Sequence, residues 1–249
     1  MPPNDLTLQV HDLNQHYSGA EPQDILRGLH SMAPSEVYPL VSSFGADSAV
    51  LLHMVSRIDR HWPIIFIDTQ MLFAQTLAYQ SRLASEFGLE NIARHQAAPQ
   101  ILAGQDTYDL LHRSDPDTCC RIRKTDVLTA ALRPNSGWIT GRKRHQATTR
   151  GELELFEPDP ITSGIKVNPL AFWTTQQVAA YFHAQDLPRH PMVARGYPSI
   201  GCAPCTSPVK AGEDPRSGRW RGRQKTECGI HLPPPTTQNR HPTKQGELA

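Results

Sequence analysis

Residues 37–58 read VYPLVSSFGADSAVLLHMVSRI and, after DRHW, residues 63–69 read PIIFIDT. The first segment opens with a short apolar run that suits a strand, passes through a Ser/Gly turn, and continues with Val50, Leu51, Met54, Val55 and Ile58 at the spacing of a helix face. The second is an unbroken apolar run with Asp68 and Thr69 at its C-terminal end, the pattern of a buried strand. Strand, helix and strand in that order make a βαβ unit.

The alternation continues outward from this unit. A helix is expected over Leu72 to Phe87, a strand at NIARHQA (91–97), a helical stretch through Cys119 to Leu132 and a strand at GWITG (137–141). Such a pattern predicts an α/β fold, a mostly parallel twisted sheet with helices on both faces and ligands at the strand C-terminal ends. Upstream, Gln23 to Leu29 suits a helix. Downstream, a loop rich in charge and Pro leads to IKVNPL (165–170), and a helix begins within FWTTQQVAAYF (172–182), where Thr174 and Gln177 have capping-box spacing. From Pro188 the chain is rich in Pro, Gly and Arg, which predicts an irregular C-terminal segment tied down by something other than a core. Residues 1–231 read as a single α/β domain whose last part, 216–231, is a mobile tail, and 232–249 as disordered.

With 249 residues and 38% hydrophobic content the chain has enough apolar mass for a proper core. A formal net charge of +1 argues against a nucleic-acid coat or an anionic-membrane binder. Apolar runs such as AVLLHMV and PIIFI are too short to span a bilayer, and MPPNDLTLQVHDLN has no leader pattern, so a cytoplasmic location is expected. Cys119-Cys120, Cys202-x-x-Cys205 and Cys228 suit metal or redox chemistry better than a disulfide framework.

The turn SSFGADS lies between strand and helix. There Gly45 permits close backbone approach, the helix N-terminus offers N–H groups to an anion, and Ser42, Ser43 and Ser48 add hydroxyls. The GK[ST] ending of a Walker A loop is missing. An ordinary βα turn is the bland alternative, but the position after a first strand favours a nucleotide, with Asp68 and Thr69 beside the same crevice.

Cys119, Cys120, Cys202 and Cys205 suit either zinc or an iron–sulfur cluster. Adjacent cysteines are awkward around one ion and easier where each binds a different iron. Buried thiols with a chance CxxC, or a redox CxxC, remain open on spacing alone. Lys124, four residues after Cys120 on the expected helix, projects near this group and offsets thiolate charge.

Together SSFGADS, CCRIRK, GRKRHQATTR, IKVNPL, GYPSIGCAPCT and KTECGIH resemble the assimilatory sulfonucleotide reductases, most closely the bacterial adenosine 5′-phosphosulfate (APS) reductases that carry a [4Fe-4S] cluster. The resemblance implies an adenine nucleotide alpha hydrolase-like sheet of the PP-loop type. It implies cluster ligation by Cys119, Cys120, Cys202 and Cys205, and a nucleophilic Cys228 that takes a sulfonate from APS and yields it as sulfite to thioredoxin. Arg144, Arg150, Lys124, Arg216 and Arg219 are then expected to neutralise sulfate and phosphate. His231 and Lys225 favour the Cys228 thiolate, Glu227 opposes it unless it points away, and Ser42, Ser43, Gly45 and Asp68 meet the nucleotide. Segment 216–231 becomes a mobile catalytic tail, the cluster structural and electrostatic, and the protein a homo-oligomer. The sequence departs from the family at Gln70, where Asp-Thr is commonly followed by Gly, and Asp47 has no fixed counterpart. A reductase of the 3′-phosphorylated substrate (PAPS), or of both substrates, is the alternative within the family. An iron–sulfur redox sensor and an ATP-dependent RNA thiolation enzyme stand further off.

Overall fold

The computed structural model describes residues 3–32, 38–223, 225, 227 and 229–231. Helices α1 (Pro3–His16) and α2 (Pro22–Met32) precede β1 (Leu40–Ser42), α3 (Ser48–Ser56), β2 (Ile64–Ile67), α4 (Ala74–Phe87) and β3 (Ile92–His95). The short helices α5 (Pro99–Gln105), α6 (Leu111–Ser114) and α7 (Pro116–Cys120) lead through a wide π-turn at Arg121–Thr125 into α8 (Asp126–Leu132). Then come β4 (Gly137–Ile139), β5 (Phe156–Asp159), β6 (Gly164–Val167) and α9 (Thr175–Ala184).

The six strands form one sheet in the order β3-β2-β1-β4-β6-β5, parallel except for β5, which runs antiparallel at the edge. This is the α/β architecture that the alternating pattern predicts. All four residues of β2 are buried, which explains its unbroken apolar run. Helix α3 buries Ala49, Val50, Leu51, Leu52, Met54 and Val55, too many for one face, because α2, α4 and α9 all pack on it. The expected capping box opens α9: Thr174 Oγ1 accepts from Gln177 N at 3.2 Å, and Gln177 Oε1 accepts from Thr174 N at 2.9 Å.

Three features depart from the sequence reading. β5 lies in what reads as a loop; its Pro158 is tolerated because an edge strand has one side unpaired. Helix α1 covers that edge, and Asn14 binds both the amide (3.0 Å) and the carbonyl (2.9 Å) of Phe156. The C-terminal segment, expected to lack a core, contributes buried Trp220 and Ile230 to a second apolar cluster with Ile65, Ile67, Leu128, Leu132 and Trp138. The disorder expected for 232–249 falls outside the described residues. No described helix is long and apolar enough to cross a membrane.

The irregular run after α9 is fastened through His190. Its Nε2 lies 3.0 Å from Thr76 Oγ1, its Nδ1 accepts from Met192 N at 3.1 Å, and Tyr79 packs edge-on while donating to Pro188 O. Burial pulls the His190 imidazole from 6.5 down to about 4. Folding therefore favours the neutral ring, so this contribution is complete above pH 6.5 and is lost as pH falls from 6.5 toward 4. Urea midpoints measured across that window are expected to fall less steeply in His190→Gln than in the wild type, at some cost in stability near pH 7.

Candidate active site

The strand order reverses between β1 and β4, so the loops leaving their C-terminal ends diverge and open a crevice. A cavity of about 210 Å³ lies there. Its floor is the SSFGADS turn and its far wall the loop after β4, with residues 198–201 and the C-terminal segment closing the sides.

The turn carries one left-handed residue. The left-handed residue is Phe44 (φ 49°), not Gly45, and it is held there because its ring is fully buried, edge-on to Phe66 at 5.0 Å. Gly45 serves close approach: a Cβ would sit 3.3 Å from Ser43 Oγ and 3.6 Å from Ile200 O. Ser42 Oγ accepts from Phe44 N at 3.2 Å and so braces the turn. Asp47 stands at the N-terminus of α3 without capping it; its carboxylate meets Lys143 Nζ at 3.1 Å. Burial pulls the Lys143 ammonium down from its ordinary range while Asp47 opposes that shift.

Ser42, Ser43, Gly45, Lys124, Arg150, Arg216 and Arg219 all line this cavity. Arg150 is buried and grips Glu227 with two bonds (Nε–Oε1 2.8 Å, Nη2–Oε2 2.9 Å), and Arg216 reaches the same carboxylate at 3.2 Å. Arg219 lies over the Trp220 ring at 4.4 Å and donates through Nη1 to Ile200 O at 3.4 Å, while its buried Nε–H has no hydrogen-bond partner among the described residues. A buried guanidinium N–H left open at the edge of a cavity is suited to an incoming oxyanion.

Asp68 and Arg144 stand elsewhere. Asp68 is 2% exposed and faces β3, where it binds Arg94, Gln96 Nε2 (2.7 Å) and the Gln70 amide (2.8 Å). Burial pushes its carboxyl up, but these donors hold it below the ordinary range. Arg144 turns outward to Leu153 O (2.6 Å), Glu154 (2.7 Å) and the face of Phe172. Gln70 has φ 61°, the left-handed region where Gly is strain-free, and its side chain donates to Ala97 O at 3.1 Å. His231 ends a short turn at Gly229–His231. Lys225 pairs with Asp117 and lies 5.7 Å from the centre of the Trp220 ring. Cys228 lies outside the described residues.

A second, smaller pocket shares a wall with the first. Cys119, Cys120, Cys202 and Cys205 all line it, and Thr69, Lys124, Arg219 and Trp220 line both pockets. The π-turn starting at Arg121 widens the helix just after the paired cysteines. Cys202 is drawn in by Thr69 Oγ1 (3.1 Å), and its loop is tied to the end of β2 through Ala203 N to Met71 O (2.7 Å). Arg123, 2% exposed, spans Asp106, Asp109 and Thr69 O beneath the pocket. Burial, then the neighbouring Cys120 and Cys202, pushes the Cys119 thiol up to about 12; burial and Cys202 likewise push Cys205 up. Among the described residues no three His, Cys, Asp or Glu converge on a point where a single ion would sit. Four thiol groups around one chamber are a donor set that zinc or an iron–sulfur cluster takes.

Sequence reasoning missed Arg142, Lys143, Trp138 and Trp220. Arg142 is buried against Asn168 (Nε 3.2 Å, Nη2 3.0 Å) and Glu157, which gives the Asn of IKVNPL an orienting task. The position of residues 140–143 straight after a parallel strand was the available signal.

Arg219 owes its place to Gly201, where any Cβ would collide with the guanidinium. Gly201→Ala is expected to leave the fold intact and to weaken AMP binding about tenfold by isothermal titration, the worth of one charge-assisted hydrogen bond.

Residues 38–208 match the phosphoadenosine phosphosulfate reductase domain model. The chain is 53% identical over 193 residues to adenosine 5′-phosphosulfate reductase of Chelativorans sp. (strain BNC1), covering 78% of each chain. It is 48% identical over 221 residues to the Mesorhizobium japonicum protein of the same name, covering 88% of this chain and 86% of that one. Phosphoadenylyl-sulfate (PAPS) reductase from Candida auris superposes with a TM-score of 0.68 at 26% identity, over 80% of this chain and 96% of that one. Sequence match, sheet order and crevice thus converge, and the chain belongs to the phosphoadenosine phosphosulfate reductase family.

Proposed function

We propose that this protein is an APS reductase of sulfate assimilation that draws its two electrons from thioredoxin. The observation that carries the reading is the shared wall. A cavity floored by a phosphate-type turn and lined by Arg150, Arg216 and Arg219 abuts a four-cysteine chamber, and Lys124 faces both. Relatives bearing the APS reductase name at 53% and 48% identity support the choice of substrate.

In this reading the nucleotide lies across the turn after β1, with its phosphosulfate directed toward Lys124, Arg216 and Arg219. These cations balance charge that develops on the phosphate oxygen as the S–O bond breaks. The Cys228 thiolate attacks the sulfate sulfur, AMP leaves with the bonding electron pair, and an S-sulfocysteine forms. A thioredoxin thiolate then attacks the Cys228 sulfur and expels sulfite. The second thioredoxin thiol resolves the mixed disulfide, so the dithiol supplies both electrons. Cys119, Cys120, Cys202 and Cys205 would hold a [4Fe-4S] cluster, which supplies fixed structure and electrostatic charge next to the substrate anion. Lys124 carries that influence into the nucleotide cavity, and Trp220 lines both chambers beside it.

Intact-mass analysis after incubation with APS and no reductant is expected to show a gain of about 80 Da, the mass of SO₃ on a thiolate nucleophile, in the wild type and none in Cys228→Ser. A gain from PAPS alone would move the substrate to the 3′-phosphorylated nucleotide; no gain from either would end the reading. Cys202→Ser is expected to lose most of its iron and acid-labile sulfide on anaerobic purification, and unchanged contents would remove that residue from the ligand set.

A further inference from the structure

Two of the arginines that line the nucleotide cavity are already engaged by an anion, and the anion belongs to the chain itself. Glu227 has 5% of its side chain exposed and lies among Arg150 (9%) and Arg216 (19%), with all three lining the cavity. Both carboxylate oxygens are used by the Nε/Nη2 edge of Arg150, and Oε2 is shared with Arg216. Arg150 Nη1 is spent on Gln146 Oε1 at 2.6 Å. The bidentate edge of a guanidinium donates to one oxyanion in its plane at a time. By contrast, the buried Nε–H of Arg219 in the same cavity has no hydrogen-bond partner among the described residues.

We propose that Glu227 is an internal stand-in for the substrate anion. Its carboxylate holds Arg150 and Arg216 oriented and neutralised in the empty enzyme, and the anionic end of the nucleotide takes its place. The incoming group meets the open donor of Arg219 first and then exchanges with Glu227. When the sulfonate has been transferred, the carboxylate returns to the two arginines and competes AMP out. Glu227 is therefore a positioning residue that sets nucleotide affinity, and nucleotide binding is weaker than the number of cations in the cavity implies. Burying the carboxylate between two arginines also supplies the counter-charge that a glutamate beside a nucleophilic cysteine otherwise lacks. The inference rests on the nucleotide reading of this cavity.

The test is AMP titration by calorimetry on the anaerobically purified holoenzyme, with thermal unfolding to verify folding. Glu227→Gln, which keeps the shape and removes the charge, is expected to bind AMP about tenfold more tightly and to show stronger AMP product inhibition with a lower KM for APS. Glu227→Asp, which keeps the charge but shortens its reach, is expected to fall between the wild type and Glu227→Gln. A purely structural role predicts weaker or equal AMP binding in both variants. Either folded variant binding AMP no more tightly than the wild type would overturn the proposal, and the aspartate variant decides the matter alone if the glutamine variant does not fold. Failure of the wild type to bind AMP would instead strike the nucleotide reading, and the inference with it.

Discussion

The pairing of β1 with β4 is confined to a single register position, Leu40 opposite Ile139, and the functional architecture depends on how briefly those two strands touch. On one side β1 continues alongside β2, and on the other β4 continues alongside β6. Past Leu40 and Ile139 the chains part, because the sheet order reverses at this point and the connections leave in opposite directions. Val41, Ser42 and Ser43 on one side and Thr140 to Lys143 on the other thus become the walls of a crevice and not the interior of a sheet. The polar residues there are affordable only because the strands have stopped pairing.

Around the crevice, buried charge is distributed by pairing. Lys143 is matched by Asp47, Arg142 by Glu157, Arg123 by Asp106 and Asp109, Lys166 by Asp159, and Arg150 by Glu227. Removing the acid opposite such a buried cation typically costs about 3–5 kcal/mol, since the cation is left buried without compensation. In the wall between the two chambers Arg219 has aromatic cover from Trp220 and an Nε–H unmatched among the described residues.

Long, strongly patterned segments were legible without coordinates. The run through SSFGADS and PIIFIDT, the capping box of α9 and the spacing of four cysteines each follow from local rules of periodicity, turn chemistry and ligand type. Helix α1 was not legible because its weakly apolar surface acquires a purpose only against the β5 edge, nor was β5, whose Pro158 and charges read as loop. Arg144 and Arg150 look equivalent in GRKRHQATTR. One faces Glu154 and solvent and the other the cavity, a choice made by the tight turns after β4 and not by residue type. Asp68 likewise looks like a ligand at a strand end, but β3 supplies Arg94 and Gln96 to claim it.

By itself the sequence determined the α/β class, the family and the Ser/Gly turn between the first strand and its helix, because each rests on local patterns whose spacing constrains their geometry. Only the tertiary structure decided which cations face the cavity, that Phe44 and not Gly45 takes the left-handed position, and that Gln70 sits where a glycine would be strain-free. It alone brought Glu227 to Arg150 across 77 residues. Contacts over such separations depend on how the chain closes its loops around the sheet, and no local pattern records that closure.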